Sequence, residues 1–176
     1  IIGGGPNCVY TLDLLLKFCR EQSFGDLSLT IFEKSGEFGA GSTHSKTNPE
    51  TAVLNRIAGQ IALGVGDFFN DFLPENKKLF FETFHEWALE KYKITQNEKY
   101  NISPNDWPKR AVFGEALSET FEFLIERFQI EQQVSTTLVA EEVVDVVCEN
   151  RINKIDLKTH QSWFKNFDQL LVLTGN

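Results

Sequence analysis

The residues richest in chemistry open the chain: Gly3-Gly4-Gly5-Pro6-Asn7-Cys8, directly after Ile1 and Ile2. An apolar start, a glycine turn and a helix form the setting in which a GxGxxG-like sequence cradles a diphosphate. Gly3 admits the unusual dihedrals of a tight turn. Gly5 has no Cβ, so a pyrophosphate can come close to the backbone. Pro6 and Asn7 then open a helix whose free N–H groups and partial positive charge attract an anion. Cys8 stands at the third position, where Gly or Ala usually serves close helix–strand packing. A glycine turn before a helix also occurs without any ligand, so this hexapeptide alone leaves both readings open.

Glu33 separates them. It ends a second apolar segment, 25 residues beyond Cys8. In a dinucleotide-binding fold an acidic residue about 20 residues on accepts hydrogen bonds from the ribose hydroxyls. A carboxylate there disfavours a 2′-phosphate; Lys34 beside it is a further cofactor-binding candidate. Next comes Gly36-Glu37-Phe38-Gly39-Ala40-Gly41-Ser42-Thr43. In this loop Gly39 and Gly41 permit close approach to a cofactor, and a mobile surface loop is the alternative. Leu171-Val172-Leu173-Thr174-Gly175 reads as an apolar strand whose Thr-Gly end presents backbone at the carboxyl edge of a parallel sheet.

These residues need a scaffold, and the hydrophobic pattern supplies one. Helical spacing from Asn7 to Gln22 aligns Val9, Leu12, Leu15, Leu16 and Cys19. A turn at Gly25-Asp26 and a strand over Leu27–Glu33 complete a βαβ-type start, for which a right-handed crossover is expected. The pattern predicts a short helix over Asp67–Phe72, then a helix over Lys77–Tyr92 with Phe80, Phe84, Trp87 and Ala88 on one face. Ile94–Asp106 reads as polar loop. A long helix is predicted over Pro108–Phe128, with Phe113, Leu117, Phe121, Leu124 and Phe128 aligned. Thr51–Leu63 fits neither period. From Val134 the period falls to two, and Thr137–Val139, Val143–Cys148, Ile152–Lys158 and Gln161–Phe164 read as a small antiparallel meander. The last apolar stretch, Leu170–Thr174, reads as a buried strand. Because that strand and the opening Ile1-Ile2 both look cut short, the chain is expected to be a piece of a larger protein.

Composition narrows the partners. The 176 residues are enough for one domain with a proper core, and 41% hydrophobic with 24% charged residues fits an ordinary soluble globular protein. The net charge of -8 speaks against nonspecific nucleic-acid binding and against an anionic membrane surface. No apolar run is long enough to span a bilayer. Three cysteines without a CxxC pair give neither a disulfide framework nor a zinc site, and a reducing, cytoplasmic setting is expected. His44, His85 and His160 lack ligand spacing; among them His44, just after the glycine loop, is the one placed to touch a ligand. The 16 phenylalanines build a core in this reading, and Glu141-Glu142 form a solvated face.

The GGGP start, Glu33 and the Leu173-Thr174-Gly175 ending after a meander resemble the two-dinucleotide-binding-domain flavoproteins of the glutathione-reductase-like superfamily. Within it, Leu54-Asn55-Arg56-Ile57-Ala58-Gly59-Gln60-Ile61 is similar to the LNTPAGQM segment of the FAD-NAD(P)-binding family, which is related to N-hydroxylating and Baeyer–Villiger-type monooxygenases. Trp107-Pro108-Lys109-Arg110-Ala111-Val112-Phe113-Gly114 resembles that family's PRxxYGxYL segment, with one residue more between Pro and Arg. The resemblance implies that Gly3, Gly5 and Cys8 lie at the FAD pyrophosphate and that Glu33 holds the adenosine ribose. It also implies that Gly39 and Gly41 line the cofactor, that Asn55 and Gln60 approach the flavin, and that Thr174 and Gly175 form the ATG-like motif.

The fold class expected is therefore α/β: a Rossmann-like FAD/NAD(P)-binding domain over residues 1–176, with a mostly parallel sheet, a β-meander crossover and a helical insertion over about 67–128. The function expected is FAD binding within a flavin-dependent oxidoreductase, by resemblance a monooxygenase using NAD(P)H on a small-molecule substrate. Two other classes stand beside it: an NAD-dependent dehydrogenase, and a non-catalytic module that keeps the fold as an interaction platform.

Overall fold

The computed structural model describes residues 1–22, 26–64, 83–149 and 154–175. Helix α1 (Pro6–Glu21) follows the glycine turn, and strand β1 (Ser28–Phe32) follows the helix. Helices α2 (Phe84–Thr95) and α3 (Arg110–Gln132) come next. They lead to β2 (Ser135–Val139), β3 (Val143–Glu149), β4 (Lys154–Thr159) and β5 (Trp163–Phe167).

Strands β1 and β2 pair in parallel, Ser28 opposite Ser135 through Phe32 opposite Val139. Ile2 extends this sheet as a single parallel bridge to Phe32 on one side and to Val172 on the other. Four segments therefore run the same way, in the order β2, β1, Ile2, Val172. The period-two reading had grouped Thr137–Val139 with the antiparallel strands. Instead that segment belongs to the parallel sheet, and the meander consists of β3, β4 and β5 alone. Alternation says which faces are buried, not which neighbour a strand pairs with. Among the described residues the antiparallel meander thus has three strands, one fewer than expected, and the parallel sheet gains β2. Leu170–Thr174 is also not a buried strand. It holds one bridge at the sheet edge, with Leu171 44% and Val172 60% exposed.

Side chains alternate across β1, and this builds two cores. Leu29 and Ile31 face the helices and join Val9, Leu12 and Leu16 of α1 with Leu117, Phe121, Leu124 and Phe128 of α3. Phe32 faces the meander, where it meets Val139 and Leu157. There the Phe164 ring packs edge-on against Phe32 at 5.0 Å. The parallel sheet is the middle layer between helices and meander.

The helix boundaries moved for local reasons. Of the helix expected over Lys77–Tyr92, the described part is α2, which begins at Phe84. Thr83 is extended and accepts from the Glu86 N–H, while the Glu86 carboxylate accepts from the Thr83 N–H, which is a capping box. The helix continues past Tyr92 to Thr95, and Gln96 closes it in the left-handed conformation. The short helix over Asp67–Phe72, the start at Lys77 and Phe80 lie outside the described residues. Helix α3 starts two residues later than predicted and runs four further, to Gln132. Its start is fixed by an extended strap: Leu54 N–H donates to Pro108 O and Arg110 N–H to Ala52 O, at 2.9 and 2.8 Å. Ala58 and Gly59 N–H groups likewise donate to Asp106 O and Pro104 O. Thr51–Leu63, which fitted neither period, is this strap, with a 3-10 turn at Ala58–Gln60.

Phe121 is 1% exposed, lies on the aligned face of α3 and stacks on Phe38 at 5.5 Å. Phe121→Ala is expected to destabilise the fold by about 3–5 kcal/mol, the cost of emptying such a site, as measured by urea denaturation.

Candidate nucleotide cleft

The carboxyl ends of all four parallel segments converge on one cleft. Gly3 follows Ile2, Glu33 follows β1, Glu141 and Glu142 follow β2, and Leu173 to Gly175 follow Val172. Together with Pro6, Asn7 and the segment Gly41-Ser42-Thr43, they line a depression of about 360 Å³. In open α/β sheets this edge is where ligands bind.

The glycine turn is held on three sides. Gly3 has φ +98°, and a Cβ there would lie 2.6 Å from Leu173 O, so no other residue fits between the turn and the last sheet segment. Gly4 N–H donates to Glu33 Oε2 at 3.0 Å. Gly5 caps α1 and faces Gly41, whose backbone a Gly5 Cβ would meet at 3.7 Å. No side chain caps the start of α1, and its first turn carries no acidic residue. That end of the helix keeps its partial positive charge for a ligand.

Glu33 does two jobs with one carboxylate. It is 8% exposed and lines the cleft. Besides the Gly4 N–H it accepts from the Ser35 N–H and hydroxyl at Oε1, at 3.1 and 2.7 Å. Three donors fix it against the glycine turn, and an ionised carboxylate has about four acceptor sites. Lys34 lines the same wall and lies 3.7 Å from Glu142.

The sequence reading and the cleft overlap in Gly3, Gly5, Pro6, Asn7, Glu33, Lys34, Gly41, Thr174 and Gly175. Four other candidates lie elsewhere. Cys8 is fully buried in the helix-side core behind the turn, and burial pushes its thiol up to about 12. It packs α1 onto the sheet and forms no thiolate near neutral pH. Gly39 is pressed against α3, where a Cβ would lie 2.5 Å from Leu117 O. Asn55 and Gln60 are exposed on the strap and line no part of this cleft. Conversely, Glu141 and Glu142 were read as a solvated face, yet both line the cleft. Glu141 is half-buried, and its Oε2 has no hydrogen-bond partner among the described residues. Ser42 and Thr43 complete the lining; the glycine-rich loop was the signal for them.

His44 sits just beyond that loop, edge-on to Phe113 at 5.0 Å, and does not line the cleft. Burial, then the charge of Arg110, lowers its pKa from 6.5 to about 4. Among the described residues no group of His, Cys, Asp and Glu is arranged to hold a metal ion, and no helix is long and apolar enough to cross a membrane.

Two outcomes follow from these contacts. Glu33→Gln turns an amide N–H₂ toward a backbone N–H, so it is expected to destabilise the fold by about 1–3 kcal/mol, read as a lowered thermal midpoint. The unfolded chain binds a proton at His44 near pH 6.5 and the folded chain only near pH 4, so stability falls as the pH drops through that window. His44→Asn is expected to flatten the decline of the thermal midpoint between about pH 7 and pH 5; an unchanged slope would contradict a neutral, half-buried His44.

A family model described as FAD-NAD(P)-binding matches residues 1–176. No curated protein matches the chain. The family's description points to binding of a flavin or nicotinamide nucleotide. With a parallel sheet, a glycine turn at an uncapped helix start and a family match from first residue to last, the chain belongs to the FAD-NAD(P)-binding family.

Proposed function

We propose that this cleft holds the ADP half of FAD, and that the chain is the FAD-binding part of a flavin-dependent oxidoreductase reduced by NAD(P)H. The observation that carries the proposal is the convergence of the glycine turn, Glu33 and Thr174-Gly175 at one sheet edge. The residues fit the group. About 360 Å³ is within the range of roughly 300–1,000 Å³ typical of cofactor sites. The bare Gly5–Gly41 edge and the uncapped start of α1 suit a diphosphate. Pro6, Asn7, Gly41, Ser42 and Thr43 bring no charge to that side.

The acidic residues serve the other half of the nucleotide. Glu33 keeps one acceptor position beyond its three donors, and Glu141 Oε2 is an acceptor without a partner. Ribose hydroxyls and an adenine amino group are donors of the matching kind. Thr174 and Gly175 follow the edge segment and close the cleft on the side of Val172. FAD, when bound, supplies the redox chemistry, taking electrons from reduced nicotinamide and passing them to a substrate or to oxygen. The protein's part is to orient it, to tune it electrostatically and to exclude water. The resemblance to N-hydroxylating and Baeyer–Villiger-type enzymes supports a monooxygenase within the oxidoreductase class.

Calorimetric titration with ADP, FAD, NAD and 2′,5′-ADP tests the proposal. ADP and FAD are expected to bind, and 2′,5′-ADP to bind at least about tenfold more weakly, because it lacks the diphosphate that suits the helix start and sets its 2′-phosphate against Glu33, Glu141 and Glu142. NAD binding without FAD binding would favour a dehydrogenase site. No binding of any of the four, with no shift in thermal midpoint, would leave the interaction-module reading.

A further inference from the structure

We propose that Gly114 is a positioning residue for the nucleotide cleft: by carrying no side chain, it lets the His44 carbonyl seat on helix α3 and so fixes the loop segment Gly41-Ser42-Thr43. This inference rests on the nucleotide reading of the cleft and assigns control of its shape to a helix that contributes nothing to its lining.

A Cβ built on Gly114 would lie 1.9 Å from His44 O, 2.9 Å from His44 C and 3.2 Å from His44 Cβ. Real Cβ atoms do not come within 3.0 Å of other heavy atoms, so Ala at this position must push the loop or the helix aside. Moving the helix is costly. The backbone bonds of Leu54 with Pro108 and of Ala52 with Arg110 tie its start to the strap, and its next turns are buried in the core. The loop is the softer side.

That loop is clamped at both ends by one face of α3. At its beginning, the Ser118 hydroxyl donates to Phe38 O at 2.9 Å, Phe121 stacks on Phe38, and Gly39 lies against Leu117 O. At its end, Phe113 meets His44 edge-on and Gly114 receives the His44 carbonyl. Between the clamps, Gly41, Ser42 and Thr43 line the cleft, and Gly41 packs directly against Gly5 of the glycine turn. A displacement at His44 is passed within three residues to Gly41, which abuts the glycine turn at Gly5 and Pro6.

Kd for ADP and the thermal midpoint are measured on the whole chain for wild type, Gly114→Ala, Ser118→Ala and Leu124→Val. Leu124 lies farther along α3 in the core and away from the loop. Gly114→Ala is expected to weaken ADP binding by about tenfold to a hundredfold, the scale on which a misplacement of about 1 Å acts. Ser118→Ala is expected to weaken it by a smaller factor at a near-native midpoint, and Leu124→Val to lower the midpoint while leaving Kd unchanged. If Gly114→Ala does not fold, Ser118→Ala decides: a raised Kd at a native midpoint supports the clamp, and a native Kd overturns it. An equal loss of affinity in Leu124→Val at a matched midpoint also overturns it, because affinity then follows stability alone. Wild type that binds no ADP removes the nucleotide reading and the clamp together, whereas wild type that binds with unaffected variants removes the clamp only.

Discussion

The opening segment is hydrogen-bonded on both sides: the Ile2 N–H donates to Leu171 O and its carbonyl accepts from the Leu173 N–H, while on the other side the flanking Ile1 O and Gly3 N–H pair with Phe32. A segment held this way cannot drift along its neighbours, and its register dictates the rest. The chain must turn immediately at Gly3, beneath the Leu173 carbonyl. Gly4 then presents its N–H to Glu33, which β1 has delivered to the same level. Helix α1 can start only from that point. Site geometry here is a consequence of strand register, with the Glu33 carboxylate as the bolt between two strand ends.

The second constraint is that the parallel sheet is covered differently on its two faces. Helices α1 and α3 bury Leu29 and Ile31, and the meander buries Phe32. The link from β2 into the meander brings Glu141, Glu142 and Val143 to the cleft, so the crossing between the two sheets adds acidic residues to the ligand wall beside Glu33. The neutral wall comes from the other layer, through α1 and the loop that α3 holds.

Much of this was legible in the residues. Period-3.6 spacing found α1 and α3, and all five aligned positions of α3 from Phe113 to Phe128 are buried. Nine of the expected site residues line one cleft because glycine turns and strand-end carboxylates are local signals with direct geometric meaning. What was hidden was mostly non-local. Period two could not say that β2 pairs with β1 in parallel. Glu141 and Glu142 look like any charged pair until the strand before them is placed beside Glu33. Asn55 and Gln60 stand in a segment whose visible role is to pair through its backbone with residues 104–110, and backbone pairing leaves no mark on side-chain type. The Thr83–Glu86 capping box was the exception: a local signal that was present, and passed over in favour of an apolar periodicity running through it.

The pairing of β1 with β2 joins residues roughly a hundred positions apart, and Ile2 with Val172 spans nearly the whole chain. Contacts of such separation form late in folding, after local helices and hairpins have lowered the entropy of closing the loops between them. The sheet side of the cleft is built from the ends of these long-range pairs. It therefore exists only once Ile2 has met both Phe32 and Val172, and a nucleotide that binds it acts on a late-closing part of the molecule, adding its binding free energy to those contacts.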